Sequence, residues 1–202
     1  MSVKKRHHEV DTFYFITFTC FKWQELFEIT SLYDNIYSWF EKLEKKGVYN
    51  CGYVIMPNHI HLLLYLSRIK KTIDKIISNG KRFMAYEIVA RLNQLGREDL
   101  VELMRKSVKA SSIVRNKKHE VFEPSFDCKE AVTEKFIRQK LNYMHKNPVS
   151  GKWKLVEDYL DYQYSSARFY DLGDAPDCKL FHYTDMRSAE SPLKNLNQID
   201  SK

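Results

Sequence analysis

Apolar and polar positions along this chain switch between a two-residue and a helical period, and the switches mark its elements. DTFYFITFTCF (residues 11–21) is dense in aromatic and β-branched residues and predicts a first strand. Over residues 29–46 the period becomes helical: Leu32, Ile36, Trp39, Phe40 and Leu43 recur on one side, Thr30 or Ser31 can cap the start, and Gly47 marks the stop. VYNCGYVIM (48–56) and HIHLLLYL (59–66) read as strands joined at Pro57-Asn58, most simply as a hairpin. A basic helix is predicted from Lys70 to Leu95, with a kink at Asn79-Gly80, and a second helix over 97–115 continues this arm. HEVFEPSF (119–126) predicts a short edge strand, because Pro124 interrupts it. AVTEKFIRQKLNYMHKN (131–147) predicts a helix that stops before Pro148.

The resulting order is β-α-β-β-α-β-α. Its first six elements predict an α+β, ferredoxin-like (split βαβ) fold: an antiparallel sheet with helices on one face, followed by a C-terminal helix. The expected domain spans residues 1–170, with a basic helical arm at about 69–117, and residues 171–202 form a loosely held tail. This fold hosts many unrelated functions, so function has to be argued from a site.

The pattern has one anomaly. His59 and His61 interrupt an otherwise apolar strand, and because side chains alternate, both point to one face while Ile60 points to the other. Two imidazoles about ~7 Å apart along a strand can converge on one cation. The plainer alternative is a hydrogen-bonded pair without metal. A cation needs a further protein ligand, and the last helix offers one. In LNYMHKNP, Tyr143 and Asn147 lie four residues apart on one helix face, while His145 faces away from both. The Asn147 carbonyl oxygen is a hard ligand and Tyr143 a nucleophile. The plainer roles are a core aromatic and a helix C-cap.

Composition narrows the setting. The net charge of +7 and a pI near 9.1 favour a polyanionic partner, with the cations concentrated in SRIKKTIDKIISNGKR and MRKSVKASSIVRNKKHE. Such runs are equally compatible with solvated helix faces. The four cysteines are scattered without a C-x-x-C pair, which argues against a disulfide framework or a zinc ribbon. No run is long and apolar enough to span a membrane, and MSVKKRHHEV does not lead into a secretory signal, so the expected location is the cytoplasm.

The string MPNHIHLLL, a following basic helix and YMHKNPV together resemble the REP-associated tyrosine transposases. These belong to the insertion-sequence 200/605-like group of HUH single-strand transposases and nickases. YFITFTCFKWQELF and YSSARFY carry the resemblance further, so that it covers residues 11 to 170. It implies a metal-dependent enzyme that cleaves and rejoins single-stranded or hairpin DNA through a covalent 5′-phosphotyrosine. Carried onto this sequence, His59, His61 and Asn147 would be the metal ligands and Tyr143 the nucleophile. The segment at 92–118 is longer than the family pattern, and SGKWK replaces a shorter apolar continuation after NPV.

The expected metal is Mg²⁺ or Mn²⁺, with Zn²⁺ or Ni²⁺ able to occupy the imidazoles in a purified sample. Phosphate contacts are expected from Lys70, Lys71, Lys75, Lys81 and Arg82 on the basic arm and from Arg168, with a homodimer as one compatible assembly. Two other readings stay open. One is a ferredoxin-like nucleic-acid-binding protein with a relic site. The other is a water-using metal-dependent phosphodiesterase in which Tyr143 is structural.

Overall fold

The computed structural model describes residues 11–67, 72–113 and 116–188. At its centre lie two long antiparallel strands, β1 (Thr12–Thr19) and β3 (His59–Leu66), flanked by β2 (Val48–Ile55) and β4 (Asp127–Glu130) in the order β2-β3-β1-β4. This is the strand order of the split βαβ sandwich, and the fold is α+β as the element order implies. Pro57-Asn58 joins β2 to β3 as a hairpin, closed by Met56 N–H donating to the His59 carbonyl at 2.8 Å. The described residues also form eight α-helices, α1 (Leu26–Ile29), α2 (Tyr33–Glu44), α3 (Ile73–Gln94), α4 (Glu98–Lys106), α5 (Ala110–Ile113), α6 (Glu134–His145), α7 (Ala167–Asp171) and α8 (Tyr183–Ser188), and three short 3-10 turns. None is long and apolar enough to cross a membrane.

The sheet buries both faces, which explains why HIHLLLYL is almost continuously apolar. On one face Tyr14, Ile16 and Phe18 of β1 and Ile60, Leu62 and Leu64 of β3 pack against α2 and α3. On the other face Phe13 and Phe15 of β1 and Leu63 of β3 pack against Ile137, Leu141 and Met144 of α6. Each such buried aliphatic side chain contributes roughly 1.5–3 kcal/mol, so α6 is held mainly by these three residues. Thr133 caps its start by accepting from Phe136 N–H at 3.3 Å. The helix ends where Asn147-Pro148-Val149 tightens into a 3-10 turn.

Several expectations shift. The strand predicted over 119–126 contributes only one bridge, Phe122 to Cys20, and the fourth strand is the following DCKE. Pro124 prevents a ladder in the earlier segment, whereas β4 takes its conformation from pairing with Tyr14–Thr17 of β1. The basic helix begins at Ile73 and runs unbroken through Asn79-Gly80. Lys70 and Lys71 lie outside the described residues. The predicted 97–115 helix is two pieces, α4 and α5.

Beyond residue 171, where the sequence predicts a loosely held tail, a few side chains of residues 172–188 reach the core. Phe181 N–H donates to the Asn50 carbonyl at 2.9 Å, and Cys178 and Tyr183 are buried. All four cysteines are free thiols.

Gly80 shows how tightly the α2/α3 layer is packed. A Cβ there would lie 2.6 Å from Cε2 and Cζ2 of the Trp39 indole, itself buried. Alanine improves intrinsic helix propensity by about 1 kcal/mol, whereas overpacking a core costs about 1–3 kcal/mol. We expect Gly80→Ala to destabilise the protein by about 1 kcal/mol in urea titration. Equal or greater stability would mean that the indole is free to move.

Candidate active site

The pairing Thr17↔His61 and Thr19↔His59 fixes both histidines on the sheet face that α6 covers. Their rings lie 4.9 Å apart at 83°, both 5 % exposed. His61 stacks on Phe15 at 5.5 Å, and the Tyr143 ring stands edge-on to His61 at 5.4 Å. Tyr143 itself is 53 % exposed, because Ile137, Leu141, Met144 and His145 turn the other side of α6 inward. Asn147, one turn later, interacts with the His59 ring through its side chain. The four side chains are therefore neighbours in space. A cavity of about 540 Å³ opens over this face, lined by Gln139, Tyr143, Lys146, Asn147, Lys152 and Trp153.

The protonation of His59 follows from its neighbours. Asn58 Nδ2 donates to the Trp23 carbonyl at 2.8 Å, which orients the amide and turns its Oδ1 to His59 Nδ1 at 2.7 Å. An amide oxygen only accepts, so Nδ1 carries the proton and Nε2 keeps its lone pair. Lys22 and Trp23 hold the acceptor in place with two consecutive left-handed conformations, φ 51° and 59°, rare for residues other than glycine. His61 Nδ1 is engaged by Thr17 Oγ1 at 2.6 Å. Each imidazole is thus held at Nδ1 by a neighbouring side chain, which fixes the orientation of the ring.

Burial lowers the pKa of His59 to about 4, with Asn147 opposing and the Lys152 charge adding to the shift. Burial lowers His61 to about 3, reinforced by His59 and by Lys140. Neutral imidazoles are the metal-binding form, so two of the donors are ready near pH 7. Among the described residues no group of three His, Cys, Asp or Glu side chains could hold an ion. The side chains gathered here that could offer donors to a divalent cation are the two imidazoles and the Asn147 amide, a neutral set without a carboxylate.

His145, two residues from Tyr143, points the other way: its Nε2 lies 2.9 Å from Ser166 Oγ, and Ser166 in turn bonds both backbone groups of Tyr53. This network ties the end of α6 to β2. Close approach is permitted at Gly52, where a Cβ would sit 2.7 Å from Leu141 and Met144 side-chain carbons.

The residues predicted to contact phosphate are spread over the described chain. Lys75, Lys81 and Arg82 lie on α3, which packs against the opposite sheet face. Lys81 turns inward, donating to the carbonyls of Glu123 at 2.8 Å and Ser125 at 3.3 Å, and burial lowers its pKa to about 8. Arg168 pairs with Asp174 at 2.6 Å. Lys140 acts on His61 and Lys152 on His59 electrostatically, and Lys146 lines the cleft; the sequence did not single out these three. Lys140 Nζ lies 4.9 Å from the Phe15 ring centroid and 5.4 Å from that of Tyr143. Its position at i−3 from Tyr143 was the available signal. Trp23 and Trp153 flank His59, each at 5.9 Å.

No family model and no curated protein matches the sequence. The fold does have a solved counterpart. A REP-associated tyrosine transposase bound to a REP hairpin superposes with a TM-score of 0.57 at 16 % identity, covering 90 % of this chain and 95 % of that one. A Deinococcus radiodurans R1 protein, itself assigned as a transposase by inference, matches over 72 % of this chain and 97 % of its own at 14 % identity, with a TM-score of 0.40. The chain shares the fold of the first.

The buried imidazoles carry a stability signature. An unfolded histidine titrates near ~6.5, while burial lowers His145 to about 4, as it does His59, and takes His61 lower still. Below pH 6.5 the unfolded chain takes up protons that the folded chain refuses. Stability is therefore complete above pH ~6.5 and is lost as pH falls toward about 4 and then 3. Denaturant titrations between pH 7 and pH 5 should show a falling unfolding free energy. A flat profile would contradict the buried neutral state.

Proposed function

We propose that the protein is a metal-dependent enzyme that nicks and rejoins single-stranded or hairpin DNA through a covalent link to Tyr143. The observation that carries this reading is the meeting of two buried imidazoles with an exposed tyrosine and an asparagine that line one open cleft. The shared fold with a hairpin-bound tyrosine transposase supports it, as does the net charge of +7.

In this reading His59, His61 and Asn147 hold the cation, Mg²⁺ or Mn²⁺ in use, and Zn²⁺ or Ni²⁺ competes for the imidazoles. A bound divalent cation would draw charge from a non-bridging phosphate oxygen and steady the developing negative charge. The Tyr143 oxygen attacks phosphorus, forming a phosphotyrosine bond at the 5′ phosphate while the bond from phosphorus to the 3′ oxygen breaks. The phenol proton is released and the 3′ oxygen leaves as a hydroxyl after taking up a proton. Because an ester replaces an ester, the same strand can later be joined to a new 3′ end. Lys140, Lys146 and Lys152 supply the positive rim along which the phosphodiester backbone lies.

Labelled single-stranded DNA provides the test. Tyr143→Phe is expected to lower covalent capture at least roughly a thousandfold while metal affinity stays within about twofold. A phenylalanine variant that cleaves as well as the parent would remove the covalent mechanism. His59→Ala and His61→Ala should each abolish metal binding and cleavage with the circular dichroism unchanged. Asn58→Ala, which frees the His59 ring, should weaken metal affinity about 10–100-fold. Retained affinity would show that Asn58 does not orient the ligand.

A further inference from the structure

A second cavity, of about 470 Å³, adjoins the cleft and shares Lys152 and Trp153 with it. Its remaining wall includes Pro57 of the hairpin, Tyr162 and Tyr164, and two carboxylates, Glu25 and Glu28. The Tyr162 hydroxyl is spent on the Ile55 carbonyl at 2.8 Å, so this tyrosine offers the cavity its ring. Tyr164 is braced from behind by Tyr33, with ring centroids 3.4 Å apart and planes within 4°. Tyr33 donates its hydroxyl to one oxygen of Glu28, which fixes that carboxylate at the wall. The cavity thus combines a rigid aromatic lining with hydrogen-bond acceptors, next to His59 through Trp153.

The geometry points to a pocket for one unpaired guanine, flipped out of the strand beside the phosphate that Tyr143 attacks. The inference rests on the DNA-nicking reading above and adds to it the base that is read. Aromatic walls stack any base, so they bind without choosing. The choice comes from the carboxylates. Guanine presents two adjacent donors, N1–H and an N2–H, that match the two oxygens of one carboxylate. Adenine and cytosine each set a ring-nitrogen acceptor beside their single exocyclic donor group, and thymine flanks its one donor with two carbonyls. Those lone pairs face a carboxylate oxygen and are repelled. Lys152, at the boundary of the two cavities, lies where the backbone phosphate would pass from one to the other.

The experiment incubates the full chain and divalent metal with a fully randomised single-stranded DNA pool, then sequences the bound and the covalently captured strands. In the parent we expect one position next to the cleavage point to be enriched in guanine about tenfold over the other bases, as one bidentate base contact allows. Glu25→Gln/Glu28→Gln, whose amides each offer a donor as well as an acceptor, should reduce that enrichment to less than about twofold. Glu25→Gln alone, at an exposed site, gives an intermediate value if the double variant does not fold. Tyr143→Phe should keep the guanine enrichment among bound strands while losing covalent capture. Enrichment of another base, no enrichment, or an unchanged preference in the carboxamide variants would overturn the guanine pocket. Guanine-enriched binding without covalent capture in the parent would instead overturn the nicking reading and leave the pocket standing.

Discussion

Everything at the cleft depends on β3 being covered from both sides. With neighbours β1 and β2 and a helical layer on each face, the strand has no solvent-facing side to which its two histidines could turn. Placing His59 and His61 there costs their charge: burial makes the neutral ring the folded form over the physiological range. A neutral imidazole is the form that a divalent cation can bind, so the burial that disfavours protonation also keeps both rings in that form. Asn58 and the left-handed Lys22-Trp23 backbone settle which nitrogen of His59 is free, and Thr17 holds the His61 ring at Nδ1.

The two faces of the sheet are specialised differently. The α2/α3 face is filled by aliphatic and aromatic side chains down to Gly80, and it gives β3 a rigid backing. The α6 face has a smaller core that meets His61 at Phe15. Leu141 and Met144 seat against Gly52, and the His145–Ser166–Tyr53 network pins the end of the helix. One helical face is spent on docking, and the other carries Tyr143 out into the cleft. Tyr143, Asn147 and the two histidines therefore come from elements far apart in sequence but fixed against one rigid strand, the pre-organisation that the proposed reaction calls for.

The legible parts of the chain were those with a period. β1, the hairpin, α2 and α6 follow from alternation or helical spacing, and the shared face of His59 and His61 follows from the two-residue repeat alone. β4 was not legible, because Asp127-Cys128-Lys129-Glu130 has no apolar alternation and becomes a strand only by pairing with β1. Lys81 looks like one more cation of a basic run, and only the packed loop at 122–125 turns its ammonium into a cap for carbonyl groups. Lys140, Lys152 and Trp153 gain meaning only once α6 and the turn after it close over the hairpin. The role of Asn58 depends on the Trp23 carbonyl, brought in from thirty-five residues earlier.

The central claim is that Tyr143, set against His61 and the neighbouring cations, forms the bond to DNA. Mass-spectrometric mapping of protein peptides after reaction with single-stranded DNA and divalent metal tests it most directly. The account predicts a nucleotide attached through its 5′ phosphate to Tyr143, and to no other residue. Linkage at a different side chain, or cleavage that leaves every peptide unmodified, would contradict it.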